Sequence, residues 1–246
     1  PVGAGVLIIF LVTFLFFTIF HLIGRFGVYI SSPFSIKEEL NIIFFTFISF
    51  GLIGLYDDLL KIFRLKFTNR YKNPLQAALA LIIGFLIFQN LQIQIINIPF
   101  FGVLQLGWWY IPVSAIVIFS FARGLDITDG LDGLAGGTLL IALLSLWAIS
   151  QTVLDTPLSV FLALWTGSLI AFLYFNVPPA RIWMGNSGSL AFGATLAVTG
   201  LLLGKPAALL VVGAIFLFEG LSNLIQTLGV AFLHRRIFPI SPPHYW

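Results

Sequence analysis

Residues 110–153 read Y-I-P-V-S-A-I-V-I-F-S-F-A (110–122), R-G-L-D-I-T-D-G-L-D-G-L-A-G-G (123–137) and T-L-L-I-A-L-L-S-L-W-A-I-S-Q-T-V (138–153). Two apolar runs flank a segment that holds Asp126, Asp129 and Asp132 within seven residues. Carboxylates beside hydrocarbon cost free energy unless a cation, a partner or water compensates them. The glycines at 124, 130, 133, 136 and 137 leave the backbone open to a close-lying ligand. Apolar runs with an acidic, glycine-rich segment between them predict membrane helices joined at a site for a hard divalent cation and its anion.

Working outward, the 246 residues are 59% hydrophobic and 9% charged, with a mean hydropathy of +1.07. Soluble domains carry roughly 25% charged residues. The 21 charged side chains here (12 Lys and Arg, 9 Asp and Glu) cannot cover a soluble surface of this size. The fold class expected is all-α, a polytopic helical membrane protein forming one domain over residues 1–246. Candidate spans are 2–23, 40–56, 75–96, 110–122, 138–153, 157–175, 190–203 and 206–232, eight in all. The segment 92–109 is uncharged, holds Pro99, Gly102 and Gly107, and reads as a small extracytoplasmic β-hairpin. Trp108, Trp109 and Tyr110 would form an interfacial belt beside it. The chain begins at Pro1 and is expected to be a fragment; without cysteine it offers no disulfide.

Basic residues set the orientation. One set of connections holds Lys61, Arg64, Lys66, Arg70, Lys72, Arg123, Arg181, Arg235 and Arg236, the other only Arg25, Lys37 and Lys205. The positive-inside rule puts the first set in the cytoplasm. The net charge of +3 therefore speaks for basic cytoplasmic loops and not for nucleic-acid binding.

The same face collects Asp57, Asp58, Asp126, Asp129 and Asp132; Glu38, Glu39 and Asp155 fall outside it, and Glu219 lies in the last span. Lys61, one helical turn after Asp57, reads either as a plain helical ion pair or as part of a site. Carboxylates gathered in one cleft repel, and Mg²⁺ relieves that repulsion while binding phosphate oxygens. Lys61, Lys66, Arg70 and Arg181 supply cations for a pyrophosphate. The combination reads as phosphoryl or phosphosugar transfer at a membrane surface, driven by positioning and charge neutralisation.

Residues 176–193, N-V-P-P-A-R-I-W-M-G-N-S-G-S-L-A-F-G, add neutral ligands at Asn176, Asn186, Ser187 and Ser189. Trp183 is either an interfacial anchor or a platform for a base. Glu219, Ser222, Asn223 and Gln226 recur at helical spacing as packing glue or as a groove wall. His21, His234 and His244 each stand alone.

Together these motifs resemble the polyprenyl-phosphate N-acetylhexosamine-1-phosphate transferase superfamily, and within it the phospho-N-acetylmuramoyl-pentapeptide transferase branch. Pro1–Gly5 is similar to the end of the family's T-P-T-M-G-G segment. Gly54–Lys61 resembles its aspartate-pair motif, and Ile127–Ala135 matches L-T-D-G-L-D-G-L-A. Asn176–Leu190 resembles N-x-x-P-A-x-x-F-M-G-D-x-G-S-L, and Arg236-Ile237-Phe238 precedes the region of a triple-histidine motif. The resemblance implies ten transmembrane helices, the first and last missing here. It implies Mg²⁺ as cofactor and transfer of phospho-MurNAc-pentapeptide from UDP-MurNAc-pentapeptide to undecaprenyl phosphate. The products would be lipid I and UMP for peptidoglycan synthesis, made at the cytoplasmic face of a bacterial inner membrane. The expected partners are those two substrates, the lipid bilayer and a second copy of the chain.

Carried over by motif, Asp57, Asp58 and Asp129 are the catalytic candidates. Lys61, Asp132, Asn176, Trp183 and His244 are the substrate-binding ones. Asp129 is the expected metal ligand, with Asn186 and Asp126 as weaker donors. Asn186 stands where the family has the aspartate of M-G-D, Arg123 and Asp126 replace the asparagines of N-x-x-N, and Trp183 replaces a stacking phenylalanine. Tyr245 and Trp246 replace two histidines. Asp126 would return to the site the charge that Asn186 lacks, and Arg123 would partly cancel it. Three alternatives stay open: a sister activity on UDP-N-acetylglucosamine, a binding protein that has lost catalysis, and an ion-coupled transporter. A transporter's acids should lie near the bilayer midplane.

Overall fold

The computed structural model describes residues 3–25, 30–63, 69–98, 102–235 and 237. Its helices are α1 (Ala4–Arg25), α2 (Ile36–Ile62), α3 (Asn69–Asn90), α4 (Tyr110–Thr128), α5 (Leu134–Val153), α6 (Thr156–Asn176), α7 (Gly185–Leu202), α8 (Pro206–Val212) and α9 (Ala214–Leu233). Between α3 and α4, β1 (Ile95–Ile98) pairs antiparallel with β2 (Gly102–Gln105), Ile95 opposite Gln105. A 3₁₀ turn, Gly107–Trp109, leads into α4 with both tryptophans exposed and Trp108 against Phe88 at 5.1 Å.

Among the described residues six helices, α1 to α6, are long and apolar enough to cross a membrane. This makes the chain a multi-pass membrane protein. The expected eight spans differ from these six in two places. The segment 190–203 belongs to α7, where every residue from Ser187 to Leu202 is buried by protein. Its small residues let neighbouring helices close around it on all sides. The segment 206–232 is broken at Gly213, where the ring of Phe121 packs against the backbone.

Helix α1 shows the opposite behaviour. Leu7, Phe10, Phe14 and Phe17, at helical spacing, are all exposed and form the stripe a lipid-facing helix requires. Its other face enters an aromatic core in which Phe16 meets Phe44 at 5.1 Å. Phe47 lies 5.5 Å from Phe161, 5.5 Å from Trp165 and 5.7 Å from Phe192, joining α2, α6 and α7. Such ring pairs are each worth about 0.5–1.5 kcal/mol beyond the area they cover.

The site is positioned by the contact of α2 with α7, among the most extensive in the fold. It closes at Gly54, where a Cβ would lie 2.1 Å from the Asn186 carbonyl oxygen. Gly54→Ala is therefore expected to destabilise by about 1–3 kcal/mol or more, because backbone cannot yield as a side chain does. Gly137→Ala in α5, where a Cβ meets nothing within 4 Å, should be neutral or stabilising by about 0.4–1 kcal/mol. Thermal unfolding in detergent checks both; equal effects would remove the close approach as the cause.

Candidate active site

Two helices run further than hydropathy suggests. α2 continues to Ile62, which puts Asp57 and Asp58 on its last turns, and α4 continues to Thr128, which puts Arg123 and Asp126 on helix. Charge lowers hydropathy without breaking a helix. Thr128 Oγ1 bonds the Gly124 carbonyl at 2.7 Å and Arg123 pairs with Asp126 at 3.1 Å, both one turn apart. Only the stretch after Thr128 is a turn, and it ends at Gly133, whose φ of 78° favours glycine at the start of α5.

These ends meet the N-terminus of α7. Asp58 accepts the Asn186 backbone N–H at 3.1 Å on one oxygen and the Ser187 N–H at 2.9 Å on the other. It thus caps the first turn of α7 and neutralises the positive end of that helix. Asp57, also buried, accepts from the Asn186 side-chain amide. With an amide at 186, Asp57 gains a hydrogen bond at a point where a second carboxylate would repel it.

The cation that the sequence did not single out is Lys72. It is 5% exposed and reaches Asp57 at 2.9 Å and Asp126 at 3.6 Å, bridging α2 and α4 from α3. Lys61 also contacts Asp57 at 3.3 Å and Asp58 at 3.8 Å, yet is 55% exposed, where an ion pair contributes little. Sequence spacing found Lys61 because i,i+4 is local. Lys72 lies fifteen residues from Asp57, and only its place beside an apolar run marks it.

Asp126 has little left to offer. Arg123 and Lys72 both take its Oδ2, and the Ser189 hydroxyl donates to Oδ1 at 3.0 Å. The expected cancellation by Arg123 is realised as a direct pair. Asp129 differs. Among the described residues no Lys, Arg or His forms an ion pair with it. Burial and the charges of Asp126 and Asp58 push its carboxyl up to about 7, with the Gly185 N–H pulling the other way. A partly buried carboxyl held high by its neighbours is a place where an added cation is favourable.

Beside this cleft, Asp132 accepts the Ala180 N–H at 3.0 Å and the Trp183 indole N–H at 3.2 Å. Trp183 is 43% exposed, so part of its ring is open. Asn176 accepts from the Gly133 N–H at 3.0 Å and donates to the Ile182 carbonyl at 2.9 Å, stapling the 129–133 turn to the 177–184 connection. The structure thus brings together Asp57, Asp58, Lys61, Asp126 and Asn186 in one network, with Asp129 electrostatically coupled to it. Asp132, Asn176 and Trp183 form an adjoining group. Arg181 is exposed. His244, Lys66 and the side chain of Arg70 lie outside the described residues.

No three His, Asp or Glu side chains converge on a single ion position among the described residues. Mg²⁺ keeps several waters and is held by one or two carboxylates plus substrate phosphates, and a carboxyl such as Asp129 offers the hard oxygen donor that such an ion takes.

A profile of the family described as Glycosyl transferase family 4 matches residues 40–204, a range that takes in the whole network. The chain is 36% identical over 211 residues to a phospho-N-acetylmuramoyl-pentapeptide-transferase of Clostridium perfringens, covering 85% of this chain and 65% of the relative. It is 39% identical over 204 residues to that of Leuconostoc mesenteroides (80% and 63%) and 35% over 215 to that of Acetivibrio thermocellus (85% and 65%). It spans about two thirds of the length of these curated relatives. Matched through the helices that carry the aspartates as well as through their motifs, the chain belongs to glycosyl transferase family 4.

Proposed function

We propose that the chain is the membrane core of a phosphosugar transferase that moves phospho-MurNAc-pentapeptide from UDP to undecaprenyl phosphate, releasing UMP and forming lipid I. The observation that carries this reading is Asp129, a carboxyl held near 7 with no cationic partner among the described residues, beside aspartates that are otherwise neutralised. The names of its relatives supply the substrate class.

An oxygen of the lipid phosphate attacks the sugar-linked phosphorus, the bond to the bridging oxygen breaks, and UMP leaves with that oxygen. Lys72 and Lys61 both hold the Asp57 carboxyl in place, where it orients the incoming phosphate or takes its proton. Asp58, with both oxygens occupied by the start of α7, positions Asn186 and serves as framework. Trp183 offers its open ring to the uracil, and Asp132 offers the carboxylate beside it; Asn176 ties together the two segments that carry them. Asp129, helped by the Asn186 amide oxygen, is the residue that would hold Mg²⁺, while Asp126, with both oxygens already bonded, adds its charge nearby. When bound there the ion neutralises the pyrophosphate as UMP departs. Eight spans, a cytoplasmic cleft in a bacterial inner membrane and an extracytoplasmic β1–β2 pair complete the reading. The homodimer expectation draws on no feature of the described surface.

The sister activity is separated by substrate. Membranes holding the full-length protein, given each nucleotide sugar with undecaprenyl phosphate and Mg²⁺, should release UMP from UDP-MurNAc-pentapeptide and at least ten-fold less from UDP-N-acetylglucosamine. The reverse preference would reassign the sugar. Uridine-nucleotide binding without release from either would leave a binding protein.

A further inference from the structure

Glu39 and Asp155 lie at the end of the bundle away from the aspartate cleft, on the first turn of α2 and just before α6. Both are buried, at 0% and 1% exposure. Each carboxyl has one oxygen served by a conventional donor. The Ser32 hydroxyl donates to Glu39 Oε2 at 2.9 Å, and the Leu158 N–H donates to Asp155 Oδ1 at 3.2 Å as the cap of α6. The other two oxygens, Glu39 Oε1 and Asp155 Oδ2, have no such donor. The two side chains are nevertheless within hydrogen-bonding reach of each other. A hydrogen bond between two carboxyls needs a proton on one of them. With a proton the pair is satisfied; without it two buried charges face each other.

We infer that Glu39 and Asp155 share a single proton, and that this clasp fastens the 31–35 connection and the first turns of α2 and α6 on the face opposite the active site. The surroundings agree. The Thr156 N–H donates to the Ser31 carbonyl at 2.9 Å, and Ser150 and Ser159 bond at 2.7 Å beneath it. A cavity of about 450 Å³, lined among others by Ser31, Gln151, Asp155 and Thr156, gives the pair a route to exchange its proton. Neighbouring charges leave it alone. Lys37 and the end of α1, His21 and Arg25, are exposed, and Glu38 is turned to Asn90 of α3 at 2.8 Å. Helices α5, α6 and α7 bring no other ionisable side chain to this end.

Burial holds the Asp155 carboxyl above the usual range, against the opposing pull of its bonds from Glu39 and Leu158. A carboxyl raised on folding contributes stability that is complete at low pH and lost as pH rises through its folded value. The clasp is thus closed in acid and opened by alkali. Its role does not depend on the reaction proposed for the other face.

The test compares thermal unfolding of the detergent-solubilised full-length protein with its Glu39→Gln variant from pH 5 to pH 9. Glutamine donates to Asp155 as the protonated acid does, but does not titrate. The Asp129 contribution is common to both proteins and cancels in the difference. Glu39→Gln should match or fall below the parent at pH 5 and exceed it by about 2–4 °C or more at pH 9. A difference that stays constant with pH overturns the inference. If Glu39→Gln does not fold, Asp155→Asn, which retains the α6 cap, should give the same crossing. Each scan at pH 9 is repeated with MgCl₂, CaCl₂ and EDTA. A rise with either cation in the parent that Glu39→Gln lacks would make the pair a cation site and overturn the shared proton.

Discussion

Asp129→Asn is expected to lower phosphosugar transfer by about 10³-fold or more while making the protein more resistant to heat above pH 7. The first effect follows from removing the carboxylate that would hold Mg²⁺ against the charge of the pyrophosphate, a loss of about 3–4 kcal/mol or more of transition-state stabilisation. The second follows from where that carboxylate sits. Its carboxyl is pushed up to about 7 by burial and by Asp126 and Asp58. The ordinary value lies near 4. Above pH 7 the folded protein carries a charge that its surroundings oppose, so stability present in acid is lost as pH rises through about 7. Asparagine removes that cost at pH 8 and changes little at pH 4. Mg²⁺ should raise the unfolding midpoint of the parent at pH 8 and more weakly at pH 6, where protons compete for the ligand. It should not raise that of Asp129→Asn. A variant with near-parental turnover, or one equally destabilised at both pH values, would contradict the assignment.

Lys72→Met should cost about 3–5 kcal/mol of stability, because it removes the buried cation that two carboxylates share. Its ammonium is the buried link between Asp57 at 2.9 Å and Asp126 at 3.6 Å. Lys61 is too exposed to replace it, and Arg123 serves Asp126 alone. Lys72→Met with Asp126→Asn should recover part of the loss, since one of the two carboxylates that Lys72 bridged is then uncharged. Denaturation of the four proteins of the cycle in one detergent measures the coupling. A Lys72→Met protein as stable as the parent, or a double variant no better than the single, would show that the bridge is not what holds α2, α3 and α4 together at this end.

How far the sequence discloses this arrangement depends on whether the interaction is local. Asp57 with Lys61, and Asp129 with Asp132, stand out because short spacings and scarce charge mark them against an apolar background. Helices α1 to α6 stand out by length and hydropathy alone. Lys72, Asp58 as the cap of α7, and Glu39 with Asp155 do not, because each works with a partner far along the chain. Asp58 and Ser187 are separated by 129 residues, and nothing in either segment announces the other. The burial of α7 is equally hidden. A helix of glycine, alanine, serine and threonine with a few large residues has no distinct apolar face, so periodicity cannot say whether it meets lipid or protein. Hydropathy places the helix ends too short wherever charge enters the last turns, as at Asp57 and Arg123. Hydropathy records transfer into lipid and not the propensity to continue a helix.

The central claim is that the aspartate cleft transfers a phosphosugar and not a bare sugar. It is tested most directly by following each phosphorus of the nucleotide separately. The full-length protein would be supplied with undecaprenyl phosphate, Mg²⁺ and UDP-MurNAc-pentapeptide labelled with ³²P at either the uridine-linked or the sugar-linked phosphate. Label from the sugar-linked phosphate should appear in the lipid extract and label from the uridine-linked phosphate in UMP, and Asp129→Asn should abolish both. Retention of both labels in UDP, or no lipid-linked label from a well-folded protein while a relative works in parallel, would contradict it.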